Sequence, residues 1–359
     1  MALKEDYLTD LALNNKVVEM YEKLNIDLTK NIIKKLKQTG DISTYTKAQL
    51  RQLIKRGGKE VFLESLEKTA GLTSQRKKEL KDMFVDLTKT DIESYKELYD
   101  YRGKKMEISQ SQYNLINKEL KLTNKEFNNF TRTVAFSSQK DYVEAIDEMY
   151  QQIVTGTKGF DEAFRQVTNE LAEKGTTLPM KNGVERSLDA AVRQNLRTSI
   201  RDTARLINKD VGRQLNCDGV QINISPNCRP DHEVINGQVF KTKSAKWQRY
   251  KHLLEDYNCQ HYETPIIMDI EDNMYTQQEI DAANNRTVNY KGEKIPYYEA
   301  TQKQRQLERN IRNAKRTYMT NPTPENKRRI SIEQAKIRQF IKQTGLERDY
   351  LRERYAGYN

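Results

Sequence analysis

The chain has 359 residues, a formal charge of +11 and a mean hydropathy of −0.92, with 36% of residues hydrophobic and 31% charged. So little apolar mass excludes one large core and points to long helices with narrow buried stripes, some completed by partner subunits. No run approaches the ~20 apolar residues that span a bilayer, and the opening MALKEDYLTDLALNN lacks the apolar stretch of a secretory leader, so a soluble protein without membrane contact is expected.

From Val17, the apolar residues Tyr21, Leu24, Leu28, Ile32 and Leu36 recur at three- and four-residue steps and predict an amphipathic helix ending near Gly40. Thr46 with Gln49 and Thr123 with Glu126 have capping-box spacing and mark further helix starts; Gly57-Gly58, Gly71 and Gly156 mark stops. Proline is absent before Pro179, so the first 185 residues read as six to eight helices with short connections. Thr176 to Gly183 (TTLPMKNG) is the candidate hinge. Ser187 then caps a long helix with the apolar face Leu188, Val192, Leu196, Ile200, Ile207 and Val211. Beside it runs a ridge of Arg193, Arg197, Arg201 and Arg205, expected to be a solvated face, with a binding strip as the alternative.

The pattern changes at Cys217. Gly219 to Ser225 alternates like a strand, Asn236-Gly237 is a turn pair, Val239 to Thr242 and Pro265 to Glu271 supply further strands, and Ser244 to Tyr257 reads as helix. Trp247, the sole tryptophan, is the expected anchor of this small core. After Pro296 helix returns, with Leu307, Ile311, Ala314 and Tyr318 on one face. Thr323-Pro324 starts a second helix, whose stripe Ile330, Ile337 and Ile341 runs to Gly345. The fold class is therefore mainly α with a small α+β module. Its regions are a helical N-terminal part (1–185), a long connecting helix (186–214), a mixed module (215–297) and a basic helical tail (298–359).

Charge sits in that tail: residues 301–359 carry 15 Lys and Arg against 6 Asp and Glu, a balance of +9. Such a stretch is either a solvated face or a contact for nucleic acid or an acidic protein. Its candidate contact residues are Arg305, Arg309, Arg312, Lys315, Arg316, Lys327, Arg328 and Arg329.

Cys217, Cys228 and Cys259 are too few for a disulfide framework, which suits a reducing compartment. Cys228-x3-His232 and Cys259-x-His261 would assemble a zinc set of two thiolates and two imidazoles if their segments fold together. The alternative is buried thiols and hydrogen-bonded histidines with no cofactor. No GxxxxGK, G-x-S-x-G or HExxH occurs, which speaks against a nucleotide-driven motor, a serine hydrolase or a zinc protease.

Three elements in order carry a family resemblance: Arg229, Pro230 and His232 with Gly237; Asn258, Cys259 and His261; and the Gln- and Arg-rich helix Gln302 to Arg316. In this the chain resembles phage minor capsid (head-morphogenesis) proteins related to the Mu F-like group, with Gln260 standing where a basic residue is usual. The resemblance implies a structural, non-enzymatic, low-copy head component at the portal vertex of the virion, assembled in the bacterial host cytoplasm. The implied partners are the portal protein, major capsid or scaffold protein, and double-stranded DNA during packaging or ejection. DHEVINGQ with NCQH also resembles HNH-type nucleases, with His232 as base and Asp231 and His261 holding a metal, though the usual second metal-binding histidine is lacking. A free-standing nucleic-acid-binding protein is the third reading.

Overall fold

The computed structural model describes residues 15–179, 183–256 and 259–358. The N-terminal residues 1–14, the tip of the predicted hinge (180–182), Tyr257 at the end of one predicted helix, and Asn258 lie outside the described residues.

Helix α1 (Lys16–Gln38) starts where the Asn15 side chain accepts a hydrogen bond from the Val17 amide, and its predicted stripe Tyr21, Leu24, Leu28, Ile32 and Leu36 is buried. Helix α2 (Lys47–Gly71) opens on the predicted Thr46–Gln49 capping box. Gly57-Gly58, read above as a stop, instead lies in its interior. Gly57 serves close packing rather than termination. A Cβ on Gly57 would stand 2.1 Å from the Tyr142 hydroxyl oxygen, whereas one on Gly58 would meet nothing nearer than 3.5 Å. Adjacent substitutions should therefore differ in sign by thermal or denaturant unfolding. Gly57→Ala is expected to cost about 1–3 kcal/mol through overpacking, and Gly58→Ala to be neutral or to gain up to about 1 kcal/mol from helix propensity.

Helices α3 (Thr73–Glu93) and α4 (Lys96–Tyr101) lead to α5 (Gln110–Val154), which spans 45 residues. The predicted start at Thr123 is corrected. The box that begins α5 is Ser109 with Gln112, while Thr123 is buried mid-helix and donates to Ser199 Oγ at 3.0 Å. The two boxes look alike locally, and only burial distinguishes them. Helix α6 (Phe160–Lys174) is followed by a short antiparallel hairpin, β1 (Thr177–Pro179) with β2 (Glu185–Ser187), where the hinge is expected.

Helix α7 (Leu188–Gln214) is the spine of the molecule. Leu188, Val192, Leu196 and Ile200 join the core formed by α1, α3 and α5, while Ile207 and Val211 pack with Tyr95, Tyr99 and Ile267. The N-terminal helices thus form a packed bundle rather than extended arms. The arginine ridge of α7 is also corrected. Arg193 pairs with Glu22, Arg201 donates to the Asp256 and Cys259 carbonyls, and Arg205 pairs with Glu255, so the ridge is roofed by other segments rather than solvated.

The α+β module is a three-stranded antiparallel sheet with β3 (Gly219–Ile222) between β4 (Val239–Lys241) and β5 (Glu263–Ile266). Helix α8 (Ala245–Tyr250), capped by Ser244, seats Trp247 as expected, 5.2 Å between centroids from Phe240 and against Val220, Ile222, Ile235 and Leu254. Helix α9 (Gln277–Asn284) and a hairpin of β6 (Thr287–Tyr290) with β7 (Glu293–Pro296) follow. That hairpin is absent from the sequence reading, since its Lys291-Gly292 turn lacks the usual Asn-Gly or Asp-Gly signal.

The C-terminal region comprises α10 (Tyr297–Thr320), α11 (Pro324–Thr344) and α12 (Tyr350–Glu353). The predicted Thr323 cap and Pro324 start are present. Helix α10 is docked inward, not displayed. Arg316, 2% exposed, donates to Asp189 Oδ1 at 3.3 Å and to the Glu173 and Lys174 carbonyls at the end of α6. Arg312 bonds the Arg352 carbonyl and Lys315 the Glu353 carbonyl at 2.8 Å. Among the described residues, no helix is long and apolar enough to cross a membrane.

Candidate functional site

The CRPDH segment and Cys259, Gln260 and His261 meet between the sheet, α7 and α10. Residues Pro230–His232 form a single 3₁₀ turn in which the His232 amide donates to the Arg229 carbonyl at 2.9 Å. Proline at the first position presets that turn and needs no amide partner. The chain reverses at Gly237, φ +68°, where a Cβ would stand 2.7 Å from Ile280 and 2.8 Å from Ile224. Glycine is therefore required there by both conformation and space.

His232 and His261 are 1% and 3% exposed, and Cys259 is 7% exposed. Cys259 Sγ stands 3.4 Å from His232 Nδ1 and 3.6 Å from His261 Nδ1. The opposite nitrogens are held from behind: His232 Nε2 lies 3.1 Å from Asp256 Oδ2, and His261 Nε2 lies 3.0 Å from Asn236 Oδ1. Asn236 Oδ1 also accepts from the Ser225 amide at 2.7 Å, which identifies it as the amide oxygen. The Arg229 guanidinium abuts His232 Nε2 and shares the Asp256 carboxylate at 2.8 Å. Hydrogen bonds from His232 and Arg229 hold the Asp256 carboxyl below its usual range, while burial, aided by His232 and Arg229, pushes His261 down to about 3. Burial also raises the Cys259 thiol, and it raises Cys228 to about 12.

Three of the four residues expected to form the zinc set therefore converge, and the fourth does not. His232, Cys259 and His261 have ligand atoms within 4.8 Å of one another. Cys228 lines the same cavity but lies outside that set, and its Sγ hydrogen-bonds the Arg229 carbonyl at 3.2 Å. The HNH-like arrangement is not formed either. Asp231 is turned to solvent and groups with His232 and Asp256, while both His261 nitrogens are engaged by Cys259 and Asn236. Sequence reasoning missed Asp256 and Asn236. The turn signal of Asn236-Gly237 gives no hint of the histidine that the Asn236 side chain holds.

Facing this cluster is a cavity of about 340 Å³, lined also by Arg197, Arg229, Arg305 and Arg309. Burial, then Arg352, Arg305, Arg193 and Arg312, bring Arg197 down to about 9, which still leaves it charged at neutral pH. Of the eight predicted contact bases, Arg305 and Arg309 thus border the cavity. Arg312, Lys315 and Arg316 are tied to backbone carbonyls, and Lys327, Arg328 and Arg329 are exposed on α11.

The molecule is thus a helical bundle closed by its own C-terminal helices, with a small α+β module built around a buried cluster of Cys259, His232 and His261. The family model for phage minor capsid protein 2 matches residues 3–351, nearly the whole chain, and the chain belongs to that family. Its role is a structural one in the phage capsid, in assembly with other head proteins. No curated protein and no solved structure gave a match.

Proposed function

We propose that the chain is a low-copy component of the portal vertex, assembling with the portal protein and with major capsid or scaffold protein, and that α11 meets packaged double-stranded DNA through sequence-independent phosphate contacts. The observation that carries this reading is the sorting of charge between two adjacent helices. Arg312, Lys315 and Arg316 of α10 turn inward, whereas α11 buries Ile330, Ile337 and Phe340 on one face and exposes Lys327, Arg328, Arg329, Lys336, Arg338 and Lys342 on the other. Arg329 pairs with Glu173 and Lys336 with Glu333; Lys327, Arg328, Arg338 and Lys342 make no ion pair among the described residues. Uncompensated exposed cations on a rigid helix are suited to a polyanion, whose binding releases counterions.

Fluorescence anisotropy on a short duplex over a salt series tests the DNA contact. Changing Lys327, Arg328, Arg338 and Lys342 together to Gln should weaken binding at low salt and reduce the slope of log K against log salt by about 3–4, near 0.9 per phosphate contact. An unchanged slope would remove α11 from the DNA interface. Co-sedimentation with assembled portal rings tests the other part, and failure of the full-length chain to co-sediment would remove the portal assignment.

A further inference from the structure

We propose that Cys259 Sγ, His232 Nδ1 and His261 Nδ1 bind one zinc-class divalent ion, with the fourth coordination position facing the arginine-lined cavity. The first support is hydrogen-bond accounting. The Asn236 oxygen only accepts, so His261 carries its proton on Nε2 and presents a bare Nδ1 lone pair to the Cys259 sulfur. His232 Nε2 faces both the Asp256 carboxylate, which accepts, and the Arg229 guanidinium, which donates, while its Nδ1 stands at the same sulfur. With the His232 proton on Nε2 toward Asp256, a cation can accept one lone pair from each of the three ligand atoms.

The second support is metric. Zinc bonds of about 2.3 Å to sulfur and about 2.0–2.1 Å to nitrogen, at a tetrahedral angle, set S···N separations of about 3.5 Å. The two observed separations are 3.4 and 3.6 Å.

The third is the shell behind the ligands. Each histidine sets its far nitrogen against a fixed oxygen, Asp256 Oδ2 for His232 and Asn236 Oδ1 for His261, the arrangement that orients imidazoles at metal centres. One thiolate with two imidazoles selects zinc-class ions over magnesium or calcium. Binding would release the thiol proton to solvent, and the ion would tie the 3₁₀ turn to the segment entering β5.

The test uses the full-length chain purified without chelator. Elemental analysis should find about one zinc per chain, and titration of chelator-treated protein with Co(II) should give tetrahedral d–d bands with a thiolate charge-transfer band. Cys259→Ser and His232→Asn should each lower bound zinc at least about tenfold while keeping the helical circular dichroism spectrum. Cys228→Ser, outside the set, should retain zinc. Folded wild-type protein that takes up neither zinc nor Co(II) would overturn the proposal whatever the variants do. Loss of zinc in Cys228→Ser equal to that in Cys259→Ser would overturn the ligand set. Neither result bears on DNA or portal binding, which rest on α11.

Discussion

Replacing Arg316 with alanine is expected to destabilise the chain by about 3–5 kcal/mol, the cost of leaving a buried charge without its partner. Arg316 is among the largest fully buried side chains, and it joins three parts of the chain far apart in sequence. It meets Asp189 on α7 and the carbonyls that end α6, while Asp189 also accepts from Asn25 on α1 at 3.0 Å. Beside it, Arg193 pairs with Glu22, whose other oxygen accepts from the Ala356 amide at 2.8 Å and thereby binds the C-terminal region to the first helix. Chemical denaturation measures the loss, and a change below about 1 kcal/mol, the size of an exposed pair, would show that the C-terminal region is not locked in this way.

The same pair gives a pH dependence of defined sign. Burial opposes the charge on Asp189, but Arg316, Arg193 and Arg312 outweigh it and hold this carboxyl below its usual range. A depressed carboxyl contributes stability that is fully present above its unfolded value near about 4 and is lost as pH falls through the folded value. The stability gap between wild type and Asp189→Asn should therefore be constant near neutrality and narrow below about pH 4. Glu22 acts in the opposite direction, because burial outweighs Arg193 and raises its pKa. The charge on Asp189 is one of the causes that raise Glu22, so Asp189→Asn should also bring the Glu22 pKa down and the comparison reads the two carboxyls together.

Trp247→Ala is expected to cost about 3–5 kcal/mol by removing the largest side chain of the module core. Its cluster, Val220, Ile222, Ile235, Phe240, Leu254 and Cys259, contains no residue of the helical bundle. The effect should therefore be local. Amide exchange should accelerate in β3, β4 and β5 while α1 and α5 keep their protection. Equal loss of protection in α5 would mean that the module and the bundle unfold as one unit.

How far the sequence could be read follows from the range of each interaction. The stripe of α1, the Thr46 and Thr323 caps, the strands flanking Gly237 and the anchoring role of Trp247 were all legible, because periodicity, capping and turn chemistry act within a few residues. Gly57-Gly58 misled because the same residue that ends one helix permits close approach in the middle of another, and the reason here is Tyr142, 85 positions away. Thr123 misled because a capping box inside a long helix looks like one at its start. At the site, Cys228, His232, Cys259 and His261 were legible as a group by residue type. Their exact membership was not, since it depends on the 3₁₀ turn at Pro230 and on Asp256 and Asn236 reaching in from behind.

Composition and local pattern by themselves determined a mainly helical chain with narrow apolar stripes, a small mixed module near residues 215–297 and an excess of bases after residue 300. Only the tertiary structure decided which of those bases face outward. Arg312, Lys315 and Arg316 are consumed by carbonyls and Asp189, while Lys327, Arg328, Arg338 and Lys342 stay free of ion pairs among the described residues. The physical reason is that charge is written in the sequence, but its desolvation and pairing depend on acids and carbonyls that, for Arg316, lie more than a hundred residues away.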